Sequence, residues 1–250
     1  MNTKDLEFLY SARNEDLRIL VDYLTKDKNG NYRLTEGLTS KRSYQAYYPA
    51  RIDLMVDDVI DELERFGGNT IANFFRGGGV DYRTIVTGVA KKLKVNFNKK
   101  SDVAIIEWNI LMKIFTDSLD KMSEEELMKL AKEMGVPIGR YTRFSKQIVI
   151  NVLQIAIKKS GFAAYKIAVI VANAIAKALL GRGLSFAANA TLTRFVSIFA
   201  GPIGWVLMAL WTAIDIAGPA YRVTIPCVVQ IAYMRILSNT KFDEEGLHVQ

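Results

Sequence analysis

The sequence predicts an all-α protein, a multi-helix bundle around a very hydrophobic C-terminal helical hairpin. Three observations carry this. Apolar residues recur at helical spacing through most of the chain, as where Ile52, Met55, Val56, Val59, Ile60 and Leu63 are set against Asp53, Asp57, Asp58, Asp61, Glu62 and Glu64. Helix start and stop residues punctuate these runs. Residues 161–237 are dense in Ala, Gly, Val and Ile, and residues 195–214 (FVSIFAGPIGWVLMALWTAI) carry no charge. A segment of that kind is buried in a protein core, a partner or a bilayer.

In order along the chain, residues 5–24 read as two short helices. Leu6, Leu9 and Tyr10 share a face of the first, and Asn14 is the expected N-cap of the second, which carries Leu17, Leu20, Val21 and Leu24. Residues 24–35 are a candidate short β-hairpin, with Asp27-Lys28-Asn29-Gly30 as a type I turn closed by a left-handed glycine. A competing reading is a calcium loop. Thr25, Asp27, Asn29, Gly30 and Glu36 occupy positions one, three, five, six and twelve of such a loop, but Thr opens it and Arg33 brings a positive charge to position nine.

Pro49 is expected to open a long amphipathic helix that Phe66-Gly67-Gly68 ends. Its acidic run reads as a solvated face rather than a set of metal ligands. Gly67, Gly68, Gly77, Gly78 and Gly79 read as a helix–helix joint, because neither GxGxxG nor GxxxxGK[ST] is present. Asp81 stands near the start of the next helix, which buries Ile85, Val89 and Leu93 and ends in Lys91, Lys92 and Lys94. Another helix spans about 101–122. Ser123-Glu124-Glu125-Glu126 is a capping box opening a helix to Met134, and Gly135 and Pro137 end it.

After a basic segment, Arg140 to Lys146, an apolar helix runs to Lys159. The next carries a ladder of Ala164, Ala168, Ala172 and Ala176, which allows close backbone approach. A further helix runs from Ser185 to Phe199. Gly201-Pro202 is expected to start a separate one, with Ala209, Ala213 and Ala217 on one side and Gly218-Pro219 at its end. That cut leaves about 16 apolar residues, roughly 24 Å, short of a ~30 Å hydrocarbon core. On this reading 195–214 supplies a central helix wrapped by others, and residues 221–237 close the bundle with a bend at Pro226. The organisation is 1–45 as a small N-terminal module, 46–139 as an amphipathic acidic to neutral region, 140–240 as a basic, apolar Gly/Ala-rich bundle, and 241–250 as a tail.

Chemistry is constrained by what is scarce. His248 is the one histidine and Cys227 the one cysteine, in an apolar run, so His-based triads, zinc fingers and intramolecular disulfides are excluded. The chain begins without an apolar signal segment, which suits a cytoplasmic protein. No catalytic residue, metal or cofactor is indicated, and a non-enzymatic role is expected. The formal net charge is +7, and residues 140–240 hold 11 basic residues against Asp215 alone. A half that is both basic and apolar points to anionic membrane lipid or an acidic, hydrophobic protein partner, more than to nucleic acid; an oligomer is compatible. The candidate engaging residues are Phe195, Ile198, Phe199, Trp205, Leu207, Leu210 and Trp211, with Lys158, Lys159, Lys166, Lys177 and Arg182 around them. Asp215 is expected to pair with Arg222 as a structural ion pair, with Arg194 as its other candidate partner.

The stretches FGGNTIANFFRGGGVDYRTI and AYRVTIPCVVQIAYMR resemble the bacterial YaaW family, and DLEFLYSARNEDLRILVDYLTKDKNGNYRLTEGLT resembles the small module that precedes that family's main domain. The matching positions are Gly67, Gly68, Asn73, Arg76, Gly77, Gly79, Tyr82, Gly201, Pro202, Tyr221, Arg222, Thr224 and Pro226. The resemblance implies a mostly helical bacterial protein, distantly grouped with ubiquinol–cytochrome c chaperones, and supplies no catalytic residues. Two functions are therefore expected. The first is a membrane-interacting protein whose apolar hairpin associates with or inserts into an anionic bilayer, pore-forming or stress-related in kind, at the inner membrane. The second is a soluble chaperone-like or scaffold module that binds another protein.

Overall fold

The computed structural model describes residues 3–27, 29–68, 79–133, 146–159, 163–185, 190–214, 220–243 and 246–249. Its α-helices are α1 (Asn14–Thr25), α2 (Arg42–Tyr47), α3 (Val56–Gly67), α4 (Tyr82–Lys92), α5 (Val103–Lys121), α6 (Glu124–Glu133), α7 (Lys146–Lys159), α8 (Ala163–Leu180), α9 (Ala190–Ile214) and α10 (Tyr221–Ser238). Short 3-10 turns at Thr3–Ser11, Leu38–Ser40 and Ile52–Met55 join them. The class is all-α. Its described strands are β1 (Thr240–Asp243) and β2 (Gly246–Val249), an antiparallel ribbon with Thr240 opposite Val249.

The helix at the centre is α10. Every residue from Val223 to Met234 is buried, so it has no solvent face. It packs against α1, α3, α4, α5 and α8. That is what a helix apolar all round requires, since any exposed side would leave large side chains in water at roughly 1.5–3 kcal/mol each. The buried side chains form one connected core from Leu6 to Met234. Helix α9, which holds the charge-free residues 195–214, instead lies on the outside, against α8 and α5. The expectation that 195–214 is the enclosed helix is corrected here. Its inner stripe of Phe195, Phe199, Ile203 and Leu207 is buried, while Trp205 is 64% and Met208 63% exposed.

A second correction concerns Pro202. Rather than dividing two helices, it sits inside α9, which runs unbroken for 25 residues. An internal proline removes one backbone hydrogen bond and costs about 3 kcal/mol. Buried Phe199 and Ile203 on either side of it pack into the same core, and Phe199 lies against Phe115 of α5 with ring centroids 4.5 Å apart. Keeping both in register outweighs the lost bond. Likewise, Pro226 lies within a continuous α10.

Among the described residues of 24–35 no strand forms. One antiparallel bridge joins Lys26 to Tyr32, and Gly30, at φ 82°, closes the turn as expected. The first arm is missing because α1 continues through Thr25, where Tyr23 and Leu24 are buried in the core. Thr25 Oγ1 donates to Val21 O, and the Asp27 carboxylate accepts the amides of Asn29 and Asn31. Those two groups are thus committed to helix and turn.

Local chemistry explains the remaining ends. Ser123 and Glu126 form the reciprocal capping box, with Ser123 N donating to Glu126 Oε2 at 2.7 Å and Glu126 N to Ser123 Oγ at 3.2 Å. Asp81 caps α4 by accepting from Thr84 N at 2.7 Å. Asn14 is the first residue of α1 rather than its cap. Its side chain donates to Pro49 O at 2.9 Å and accepts Ile52 N at 2.8 Å, tying α1 to the start of the α3 region. The expected helix from Pro49 accordingly begins later, with a 3-10 turn at Ile52–Met55 and α3 proper from Val56. The alanine ladder of α8 faces inward, with Ala168, Ala172 and Ala176 buried.

Candidate partner-binding surface

Two kinds of site arise from these elements. One is internal: buried ion pairs that tie residues of the N-terminal half to later parts of the chain. Glu107 of α5 is fully enclosed and accepts Arg235 Nε at 2.7 Å, Arg235 Nη2 at 3.0 Å and Tyr82 Oη at 2.7 Å. Burial raises its carboxyl above the ordinary range, while the Arg235 and Tyr82 bonds pull the other way. Arg235 also donates to Asp5 O and lies 4.4 Å over the Phe8 ring. A second cluster has buried Asp22 joined to Lys26, Tyr48 and Arg182. A third has Arg13 donating to Asp16, to Tyr233 Oη and to Ser185 O. All donors and acceptors here are engaged with one another, so the clusters hold structure rather than offer reactive groups.

The other site is external. Trp205 and Met208 stand one turn apart on α9, exposed, in a helix with no carboxylate. Helix α6 packs against both α7 and α9, and it exposes Met128. On α7, Ile148 is 45% and Val152 37% exposed. Five large apolar side chains therefore stand in water on α6 and on the two helices it packs against. Exposed apolar side chains of this size mark a candidate interaction surface.

The charges around the surface are of two signs. Helices α7, α8, α9 and α10 contain no Asp or Glu, whereas α6 opens with exposed Glu124, Glu125 and Glu126. Arg194 is exposed on α9, and Lys146 at the start of α7 donates to Asp120 O at 2.7 Å. Lys166 lies 5.4 Å over the Phe195 ring, and burial lowers its affinity for a proton.

Of the expected engaging residues, Trp205 is exposed and Ile198 half-buried; Phe195, Phe199 and Leu207 are in the core. Lys177 is exposed, and Arg182 reaches inward to Asp22. The side chains of Leu210, Trp211, Lys158 and Lys159 lie outside the described residues, as do Asp215, Gly77 and Gly78. Met128, Ile148, Val152 and Met208 were not singled out by the sequence. The signal was faint: Met128 falls three and four residues after Glu125 and Glu124, off the buried Leu127–Leu130 side of its helix.

At the glycine joint, Gly79 lies so close to α3 that a Cβ there would be 2.2 Å from the Glu64 carbonyl carbon, and Val80 N donates to Glu64 O at 3.0 Å. A Cβ on Gly67 would meet Ile85 at 2.2 Å. The two glycines let α3 and α4 meet.

Comparison with known proteins gives this arrangement a lineage. A UPF0174 protein of Helicobacter pylori strain J99 is 41% identical over 254 aligned residues, covering 99% of this chain and 97% of the relative. The chain belongs to the UPF0174 family. A second UPF0174 protein from the same strain is 40% identical over 81% of this chain and 97% of the relative, and the UPF0174 protein YaaW of Escherichia coli K12 is 28% identical over 94% of both. The ubiquinol–cytochrome c chaperone family matches residues 55–229, and a domain of unknown function, DUF3944, matches residues 2–34. No solved structure matches. In UPF0174 terms, the chaperone-like match takes in the exposed α6–α7–α9 surface whole, and it ends inside the enclosed α10.

Proposed function

We propose that this protein is a non-enzymatic, chaperone-like module that binds another protein through the exposed apolar face around α9. The observation that carries the reading is Trp205 and Met208 standing in solvent on a helix whose opposite face is fully packed. The match of residues 55–229 to a chaperone family supports it. An apolar, Met-containing surface suits a client segment of variable shape, because methionine repacks at little cost. The test is suppression of aggregation of a thermally unfolding model enzyme, followed by light scattering. The full chain should suppress it, and a Trp205→Asp, Met208→Asp double variant of unchanged helicity should not. Equal activity of the two proteins would remove this surface from the function.

A second reading, peripheral association with the inner membrane, is favoured by one observation. Leu192–Ala209 is long and apolar enough to cross a bilayer, and 39% of it is buried. As one such helix among the described residues, with an inner stripe packed into the core, it gives little support to insertion or pore formation. Flotation with phosphatidylglycerol vesicles tests this reading; no lipid-dependent recovery at any pH would end it.

A further inference from the structure

We propose that residues 91–100, from the end of α4 towards α5, bind the phosphate backbone of a double-stranded nucleic acid without reading its sequence. These residues lie outside the basic half at 140–240 and on different elements from Trp205 and Met208, so the proposal goes beyond the partner-binding reading.

Between Asp81 and Asp102 the chain carries Arg83, Lys91, Lys92, Lys94, Lys99 and Lys100, and no acid. The local structure sets these charges on one strip. Val95 and Phe97 pack against the core, while Asn96 and Asn98 are exposed, as are Lys91, Lys94, Lys99 and Lys100. An extended chain lying on a core alternates in this way. Five residues separate Lys94 from Lys99, so the two are at most about 17 Å apart along the strip. Both ends are pinned. At one, Val95 N donates to Ala90 O at 2.8 Å and Lys94 N to Lys91 O at 3.0 Å. At the other, Lys100 N donates to Asn98 Oδ1 at 2.9 Å and Arg83 Nη1 to Ser101 O at 2.8 Å. Lys92 lies 5.7 Å over the Tyr221 ring. Lys91, Lys94, Lys99 and Lys100 have no carboxylate partner among the described residues.

Two features set the strip apart from solvated lysines. The dipole of α4 accounts for Lys91, but Lys99 and Lys100 stand just before α5, where a helix disfavours positive charge. Lys94 holds φ 55°, a left-handed conformation in which glycine is the ordinary residue at a helix end. A lysine kept there against its backbone preference is expected where the side chain has a task.

The occupant follows from what is exposed. Ammonium groups and asparagine amides donate to phosphate oxygens. A duplex carries a charge every ~1.7 Å of its axis, denser than the ~3.3 Å per residue of an extended acidic peptide. A flat anionic bilayer would meet exposed Asp81 and Asp102 at the flanks, whereas a rod can follow the strip alone. Phe97 is turned inward, so the strip offers no ring for unpaired bases to stack on, which selects the paired form.

The test is anisotropy of a fluorescein-labelled duplex of about 20 base pairs against the full chain, from about 50 to about 200 mM salt. Four phosphate contacts give a slope of log affinity on log salt of about −3.6, a loss of about 150-fold over that range. Lys99→Ala with Lys100→Ala should bring the slope to about −1.8. Lys94→Gly should reduce its magnitude by about one while raising the melting temperature, a pairing that a purely structural lysine would not produce. Lys129→Ala, at an exposed position on α6, is the control and should change neither. A duplex affinity that the strip variants leave unchanged overturns the proposal, as does equal binding of the single strand. Strip-dependent binding of phosphatidylglycerol vesicles or of a poly-glutamate peptide in place of the duplex overturns it too, and so does the absence of binding at the lowest salt.

Discussion

Arg235 and Glu107, 128 residues apart in sequence, meet at 2.7 Å inside the bundle, and each is the other's compensation for leaving water. Glu107 is 1% exposed, and its Oε1 also accepts from buried Tyr82. Removing one partner strands the other's charge. Arg235→Met should therefore destabilise by about 3–5 kcal/mol, read as a fall in urea midpoint. Adding Glu107→Gln to that variant should recover most of the loss. A double variant no better than the single would mean that Arg235 acts through Phe8 and Asp5 instead.

Glycine tolerance should differ sharply between two places. Gly79→Ala puts a methyl 2.2 Å from Glu64 backbone, which cannot rotate away, so a cost of about 2 kcal/mol or more is expected. Gly204→Ala meets nothing within 4 Å on the outside of α9 and should stabilise by about 0.5–1 kcal/mol. Thermal melts of the pair test the close approach of α3 and α4.

Glu62 predicts a pH effect of definite sign. It is 2% exposed, and Gly37 N donates to its Oε1 at 3.0 Å while Oε2 has no partner. Burial raises its carboxyl above the ordinary value, with the Gly37 amide opposing. The folded chain thus keeps this proton to higher pH than the unfolded chain. Its contribution is favourable at low pH and is lost as pH rises through the folded value. Glu62→Gln should be more stable at pH 7 by about 1 kcal/mol, and the difference should vanish near pH 3. A wild-type advantage at pH 7 would mean that ionised Glu62 is satisfied in solution.

Cys227 should be inert. It is completely buried on α10, and burial pushes its thiol above the usual range. An aromatic disulfide reagent should label it only as fast as the protein unfolds. Rapid labelling of the folded chain would mean that α10 is not enclosed.

The sequence made much of the architecture legible, because helix chemistry is local. The capping box at Ser123, the Asp81 start and the inward alanine ladder of α8 follow from residues within a turn or two of one another. What was misjudged depends on contacts far along the chain. Residues 195–214 are more apolar than 221–238, so hydropathy alone puts the wrong helix at the centre. Burial of α10, with Arg235 and Gln230 inside it, is supported by Glu107 and Asp16 O, which meet the Arg235 guanidinium and the Gln230 amide N–H from far along the chain. Pro202 and the 24–35 turn were misread for the same reason, since packing on both sides outweighed a local signal. The exposed apolar residues were half legible: Trp205 was singled out, while Met128, Ile148 and Val152 stand on α6, which packs against α9, and on α7, which packs against α6.

The position of α10 in the chain bears on how the protein comes into being. Synthesis proceeds from the N-terminus, so α1 leaves the ribosome some 200 residues before the helix it must clasp; Gln230 bonds Asp16 O across 214 residues. Until then α1, α3, α4, α5 and α8 have one another and α9 to pack against, and lack the helix that all five share. Contacts so distant in sequence make closure of the core slow. The apolar side chains that α10 covers in the folded protein stay open to water until it docks, and a slow closure lengthens the interval in which they can associate wrongly.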